Sequence, residues 1–149
     1  MNSPSLPDIP EATVKVRVYF FDTDAGGVVH NIAYLRMIEI ARSELAASLG
    51  WSLDQMTTGN RECPVVARTE IDYLKPARLG DDLQIHAWLA GMEKIRFYIE
   101  FVVSRTSDGA VISRCRQTMV TVALDTGRPR PLREDWRAKW PALEQKAQA

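Results

Sequence analysis

Val14, Val16, Val18 and Phe20 alternate with Lys15, Arg17 and Tyr19 near the start of the chain. A period of two predicts a half-buried strand with the four apolar side chains on one face. From Ala33 to Leu49 the period lengthens, placing Tyr34, Ile38, Ala41, Leu45 and Leu49 on one face and Arg36, Arg42, Ser43 and Glu44 mostly away from it. That spacing predicts one long amphipathic helix. Asn31 is expected as its N-cap and Gly50 as the residue that closes its far end. Ser52 with Gln55 reads as a capping box for a short helix or turn before Gly59.

The rest of the chain is mostly strand. Ala67, Thr69, Ile71 and Tyr73 oppose Arg68, Glu70 and Asp72, and Pro76 ends the run. Leu83, Ile85, Ala87 and Leu89 supply a further strand, and Phe97, Ile99, Phe101 and Val103 another. Asp108-Gly109 makes a tight turn into a run from Ala110 to Leu124, which Asp125, Thr126 and Gly127 close. Leu132 to Gln145 carries Trp136 and Trp140 four apart, a spacing that predicts a short helix packed on the body. The expected class is α+β, with one antiparallel sheet of about five or six strands wrapped on one long helix.

Composition narrows this further. A length of 149 residues suits one domain, expected over 13–149 after a disordered, proline-rich start over 1–12. Lysine plus arginine and aspartate plus glutamate balance at 19 each, so no global field favours nucleic acid or an anionic membrane. Any anionic ligand has to be met by local charge. Cys63 and Cys115 form no metal-ligand spacing and no disulfide framework, and read as reduced, buried thiols. With no apolar leader and no apolar stretch of about 18 residues, the expected location is the cytoplasm.

The chemistry concentrates between the first strand and the helix, in Phe21-Asp22-Thr23-Asp24-Ala25-Gly26-Gly27-Val28-Val29-His30-Asn31. Two carboxylates precede a glycine pair, which lets backbone approach a ligand closely. The unpaired amides of a helix N-terminus follow. Near His30 and Asn31 such amides could polarise a thioester carbonyl and stabilise the oxyanion that develops. Asp24 beside that carbonyl could attack it or activate water. On physical grounds alone, Asp22, Thr23 and Asp24 equally suit a turn and a helix cap.

The run from Val18 to Arg42, VYFFDTDAGGVVHNIAYLRMIEIAR, closely resembles the signature of the 4-hydroxybenzoyl-CoA thioesterase-type hotdog family, especially its small bacterial acyl-CoA thioesterases. Downstream, Tyr73-Leu74-Lys75-Pro76-Ala77-Arg78 is similar too, so the likeness extends from Val14 to about Leu132. The resemblance implies a hotdog fold and hydrolysis of acyl-coenzyme A, with CoA as part of the substrate and no separate cofactor or metal. It implies Asp24 as the catalytic carboxylate and the Asn31 amide in the oxyanion hole, with Asp22 shaping the loop. It further implies homodimers, often paired into homotetramers, with acyl-CoA lying across a subunit interface against Gly27, Val28, Val29 and His30. Lys94 and Arg96, in a basic turn before a strand, are expected to meet the phosphates of CoA, with Arg61, Lys75 and Arg78 as further candidates.

The chain departs from the family pattern at one point. A tyrosine-histidine pair is replaced by His30-Asn31, and an asparagine cannot titrate near neutral pH. A proton-carrying role for that histidine is therefore not transferred, and His30 reads as structural. Glu39 reads as an ion-pair partner of Arg36 or Arg42. The loop fails as a calcium site because Gly26 and Ala33 occupy ligand positions, and no GxGxxG, GxxxxGK[ST] or GxSxG is present. Two alternatives accompany the thioesterase expectation: a hotdog hydratase or dehydratase, and a non-catalytic module that binds acyl-CoA or an acyl carrier.

Overall fold

The computed structural model describes residues 9–49 and 61–144. Five strands, β1 (Glu11–Arg17), β2 (Glu62–Tyr73), β3 (Asp82–Met92), β4 (Arg96–Arg105) and β5 (Val111–Ala123), form one antiparallel sheet in the order β1-β3-β4-β5-β2. One long helix, α1 (Asn31–Ser48), lies against β1 and β3, the hotdog arrangement expected. No described helix is long and apolar enough to cross a membrane.

Alternation decides which face is covered. On β3, Leu83, Ile85, Ala87 and Leu89 are wholly buried against the helix, whereas Gln84, His86 and Trp88 face outward. Phe97, Ile99, Phe101 and Val103 repeat the pattern on β4. Met37, Ile38, Ala41 and Leu45 of α1 close the core from the other side. Burying each of the larger side chains contributes about 1.5–3 kcal/mol relative to exposure. Cys115 sits in this core, and burial pushes its thiol up to about 12; Cys63 is half-buried and shifted in the same direction for the same reason.

Several boundaries differ from the sequence expectations. The first strand starts and ends earlier: Glu11 and Ala12, expected within a disordered start, already pair with Trp88 and Ala87. Phe20, expected inside, is 81% exposed. The chain leaves the sheet after Val18 and turns through a 3-10 segment, Phe20–Asp22, stabilised by the Tyr19 amide donating to Asp22 Oδ2 at 2.9 Å. Strand β2 begins at Glu62 and runs through Pro64, which an edge strand tolerates because one side of it needs no donor. Gly50, Trp51, Ser52, Gln55 and Gly59 lie outside the described residues.

The C-terminal piece packs on the body as expected, as the short helix α2 (Glu134–Lys139). Trp136 meets the edge of Phe97, with ring centroids 5.8 Å apart, and Trp140 packs against Trp136. The Leu132 amide donates to the Lys94 carbonyl at 2.8 Å, tying this segment to the β3–β4 turn.

Candidate active site

Residues 23–29 form a small closed loop. Thr23 bridges Val29, the Asp24 amide donates to the Val28 carbonyl at 2.9 Å, and the Gly27 amide donates to the Asp24 carbonyl at 3.0 Å. Gly27 takes φ +75°, a left-handed conformation that costs a residue with a Cβ about 1–2 kcal/mol. The loop is anchored below: the Val29 amide donates to the Ala77 carbonyl at 2.8 Å, and Val28 bridges Arg78. Arg105 supports that floor, donating to the Pro76 carbonyl and pairing with Asp81, whose carboxylate also accepts the Arg78 amide.

The two aspartates differ sharply. Asp22 is 1% exposed. Its Oδ1 meets Arg36 Nη2 at 2.5 Å, its Oδ2 accepts the Tyr19 amide, and its carbonyl accepts the His30 amide at 3.0 Å. Asp24 is exposed on the loop, and its Oδ1 accepts the Gly26 amide at 2.8 Å. One carboxylate is thus consumed by structure and the other is presented to solvent.

The helix begins one residue earlier in its cap than expected. His30, not Asn31, is the N-cap, with extended backbone and Nδ1 accepting the Ala33 amide at 3.1 Å. With Nδ1 as the acceptor there, any N–H that the ring donates is at Nε2. Asn31 is the first helical residue. The Ala33 amide being satisfied by the cap, the amides of Asn31 and Ile32 are left without an intrahelical acceptor by their position in the first turn. In sequence they follow directly on the loop that carries Asp24 and returns at Val29.

The other expected site residues divide between two places. Gly27, Val28, Val29, His30 and Asn31 are together, although Val29 is buried and its amide is committed to Ala77. Lys75 and Arg78 lie at the same end of the sheet as the loop, near the close of β2 and the start of β3. Lys94 and Arg96 do not: they stand at the β3–β4 turn, the far end of β3 from Asp82, where β1 delivers the chain into the loop. β3 is 11 residues long, which sets the two ends roughly 30 Å apart. Arg61, next to Leu124, is also at the far end. Tyr34, Met37 and Phe97 are closed into the core, and Val65 is exposed on β2. Glu39 is 3.6 Å from Arg42 on the helix, as expected of a structural pair. Arg36 goes to Asp22 instead, a contact 14 residues apart in sequence that helical spacing does not reveal.

The model of the thioesterase-like superfamily matches residues 18–140. The acyl-CoA thioester hydrolase YbgC of Escherichia coli O6:H1 is 40% identical over 77 residues, 52% of this chain and 57% of that protein. The match therefore spans little more than half of that relative. The acyl-CoA thioesterase YbgC of Haemophilus influenzae is 29% identical over 117 residues, 78% of this chain and 83% of its own. Among solved structures, a 1,4-dihydroxy-2-naphthoyl-CoA thioesterase from Synechocystis superposes with a TM-score of 0.75 at 25% identity, covering 89% of this chain and 97% of that one. The fold, the loop between β1 and α1 and the family match over 18–140 agree: the chain belongs to the thioesterase-like superfamily.

Proposed function

We propose that the protein is a cytoplasmic acyl-CoA thioesterase, hydrolysing the thioester to a free acid and CoA with Asp24 as its catalytic carboxylate. The observation that carries this reading is the pairing of an exposed carboxylate with an open helix N-terminus, held together by the loop from Thr23 to Val29. Thioester hydrolysis needs both elements. As the carbonyl carbon is attacked its oxygen gains negative charge, which amides at the helix start, near Asn31, stabilise. The attacking oxygen comes from the Asp24 carboxylate, giving a mixed anhydride that water then opens, or from water that Asp24 deprotonates. In both routes the CoA thiolate leaves. Asp24 and backbone amides supply this chemistry without a further cofactor or metal.

The separation of the loop from Lys94 and Arg96 supports a two-copy site. Edge strand β2 is 12 residues long, has β5 as its one neighbour in the sheet, and exposes Val65 and Val66. Among the described residues nothing pairs with its other side, and a long open edge is a template for pairing with another chain. On α1, Ile32, Leu35 and Ile40 are further exposed apolar side chains. Antiparallel pairing of β2 with its copy brings the far end of one subunit to the loop end of the other. Lys94 and Arg96 of one copy are then the phosphate ligands for substrate at Asp24 of the other, and a homotetramer follows from pairing two such dimers.

Free-thiol release from a panel of aliphatic and aromatic acyl-CoA esters tests the activity. Turnover of at least one ester is the expected result. Tight binding of acyl-CoA without release would replace the enzyme with a binding module.

A further inference from the structure

We infer that Arg36 is a positioning residue for Asp24, acting through the buried carboxylate of Asp22; the inference rests on the thioesterase reading for its kinetic arm and on geometry alone for its second. Asp22 is the junction of three segments: its side chain holds the end of β1 through the Tyr19 amide, its carbonyl holds the residue that caps α1, and Arg36 on the second turn of α1 neutralises it at 2.5 Å. The loop that presents Asp24 springs from Thr23 and returns at Val29, the residues between these anchors. The placement of Asp24 relative to the first amides of α1 is therefore set where Asp22 meets Arg36.

Arg36 is itself held in place. Its guanidinium lies 5.4 Å from the centroid of the Phe21 ring, and that ring stacks on Tyr19 at 5.8 Å. Its side chain is half exposed while the carboxylate it neutralises is buried. Removing the cation leaves a buried charge without its partner, and the junction must move to reach water. A shift of about 1 Å in a reacting group is enough to slow a reaction by about 100-fold.

Arg36→Leu and Arg36→Lys separate this role from the alternatives. In the folded protein, Arg36→Leu is expected to lower kcat by about 10- to 100-fold with KM changed by less than about threefold, and Arg36→Lys to restore most of kcat. Hydrogen exchange of the amides in residues 23–31 is expected to rise in Arg36→Leu and to stay near wild type in Arg36→Lys. A rise in KM at unchanged kcat would overturn the inference in favour of direct substrate contact. Unchanged exchange over residues 23–31 in Arg36→Leu would overturn it whether or not any thioester is turned over. An inactive wild type with increased exchange in Arg36→Leu would sink the thioesterase reading and leave the clamp standing.

Discussion

Asp24 Oδ1 accepts the Gly26 amide at 2.8 Å, and a Cβ built on Gly26 would stand 3.2 Å from that same oxygen. The position has no left-handed requirement, unlike Gly27, so a side chain there acts through crowding of the carboxylate rather than through backbone strain. Gly26→Ala is expected to lower kcat about tenfold or more by displacing the carboxylate, while changing stability by less than about 1 kcal/mol. Steady-state kinetics beside a urea melt checks both halves. Loss of stability without loss of kcat would show that the Gly26 contact does not position the carboxylate.

A second prediction concerns the division of the site between two copies. Chains carrying Asp24→Asn keep Lys94 and Arg96, and chains carrying Lys94→Glu with Arg96→Glu keep Asp24. If each site draws on both subunits, a mixed dimer contains one complete site. Unfolding and refolding the two inactive variants together is expected to recover about a quarter of wild-type activity, since about half the dimers are mixed and each has one working site of two. A mixture no more active than the average of its parents would place both elements in one chain.

The floor beneath the loop gives a pH dependence. The Arg105 guanidinium, bonded to Asp108 through Nε and Nη2, holds that carboxyl below the usual aspartate range, with help from the Ala110 amide. A carboxyl with a depressed folded value stabilises the fold above its unfolded value of about 3.9 and loses that contribution as pH falls through the folded value. Arg105→Gln is therefore expected to have a lower urea midpoint than wild type at pH 7, and the gap is expected to narrow as the pH is brought to about 3. A gap that widens on acidification would contradict the assignment.

The sheet and the helix were legible because burial imposes their periods. Leu83 to Leu89 and Phe97 to Val103 alternate cleanly, and Tyr34, Ile38, Ala41 and Leu45 mark the buried stripe of α1. Phe20 misled because its place in an alternating run carries no information about the turn that follows. That turn is set by Asp22 through a hydrogen bond to Tyr19. The N-cap was misplaced for a related reason: asparagine is the commoner capping type, but the imidazole of His30 reaches the Ala33 amide first. The loop was found from its residue types, while the Asp22–Arg36 pair was not, because it joins a loop to a helix face that only the folded chain brings together. The separation of Lys94 and Arg96 from Asp24 required the strand order, in which β1 pairs with β3 and places the loop at the opposite end from the β3–β4 turn.

The central claim is that the exposed carboxylate of Asp24 performs the hydrolysis, and Asp24→Asn tests it most directly. The amide keeps an acceptor for the Gly26 N–H, so the loop is retained while the nucleophile or base is lost. Measured by CoA thiol release on the best ester of the panel, kcat is expected to fall by about 100- to 10,000-fold in a protein with an unchanged melting transition. A kcat within a few-fold of wild type in folded Asp24→Asn would contradict the account and move the chemistry to another group.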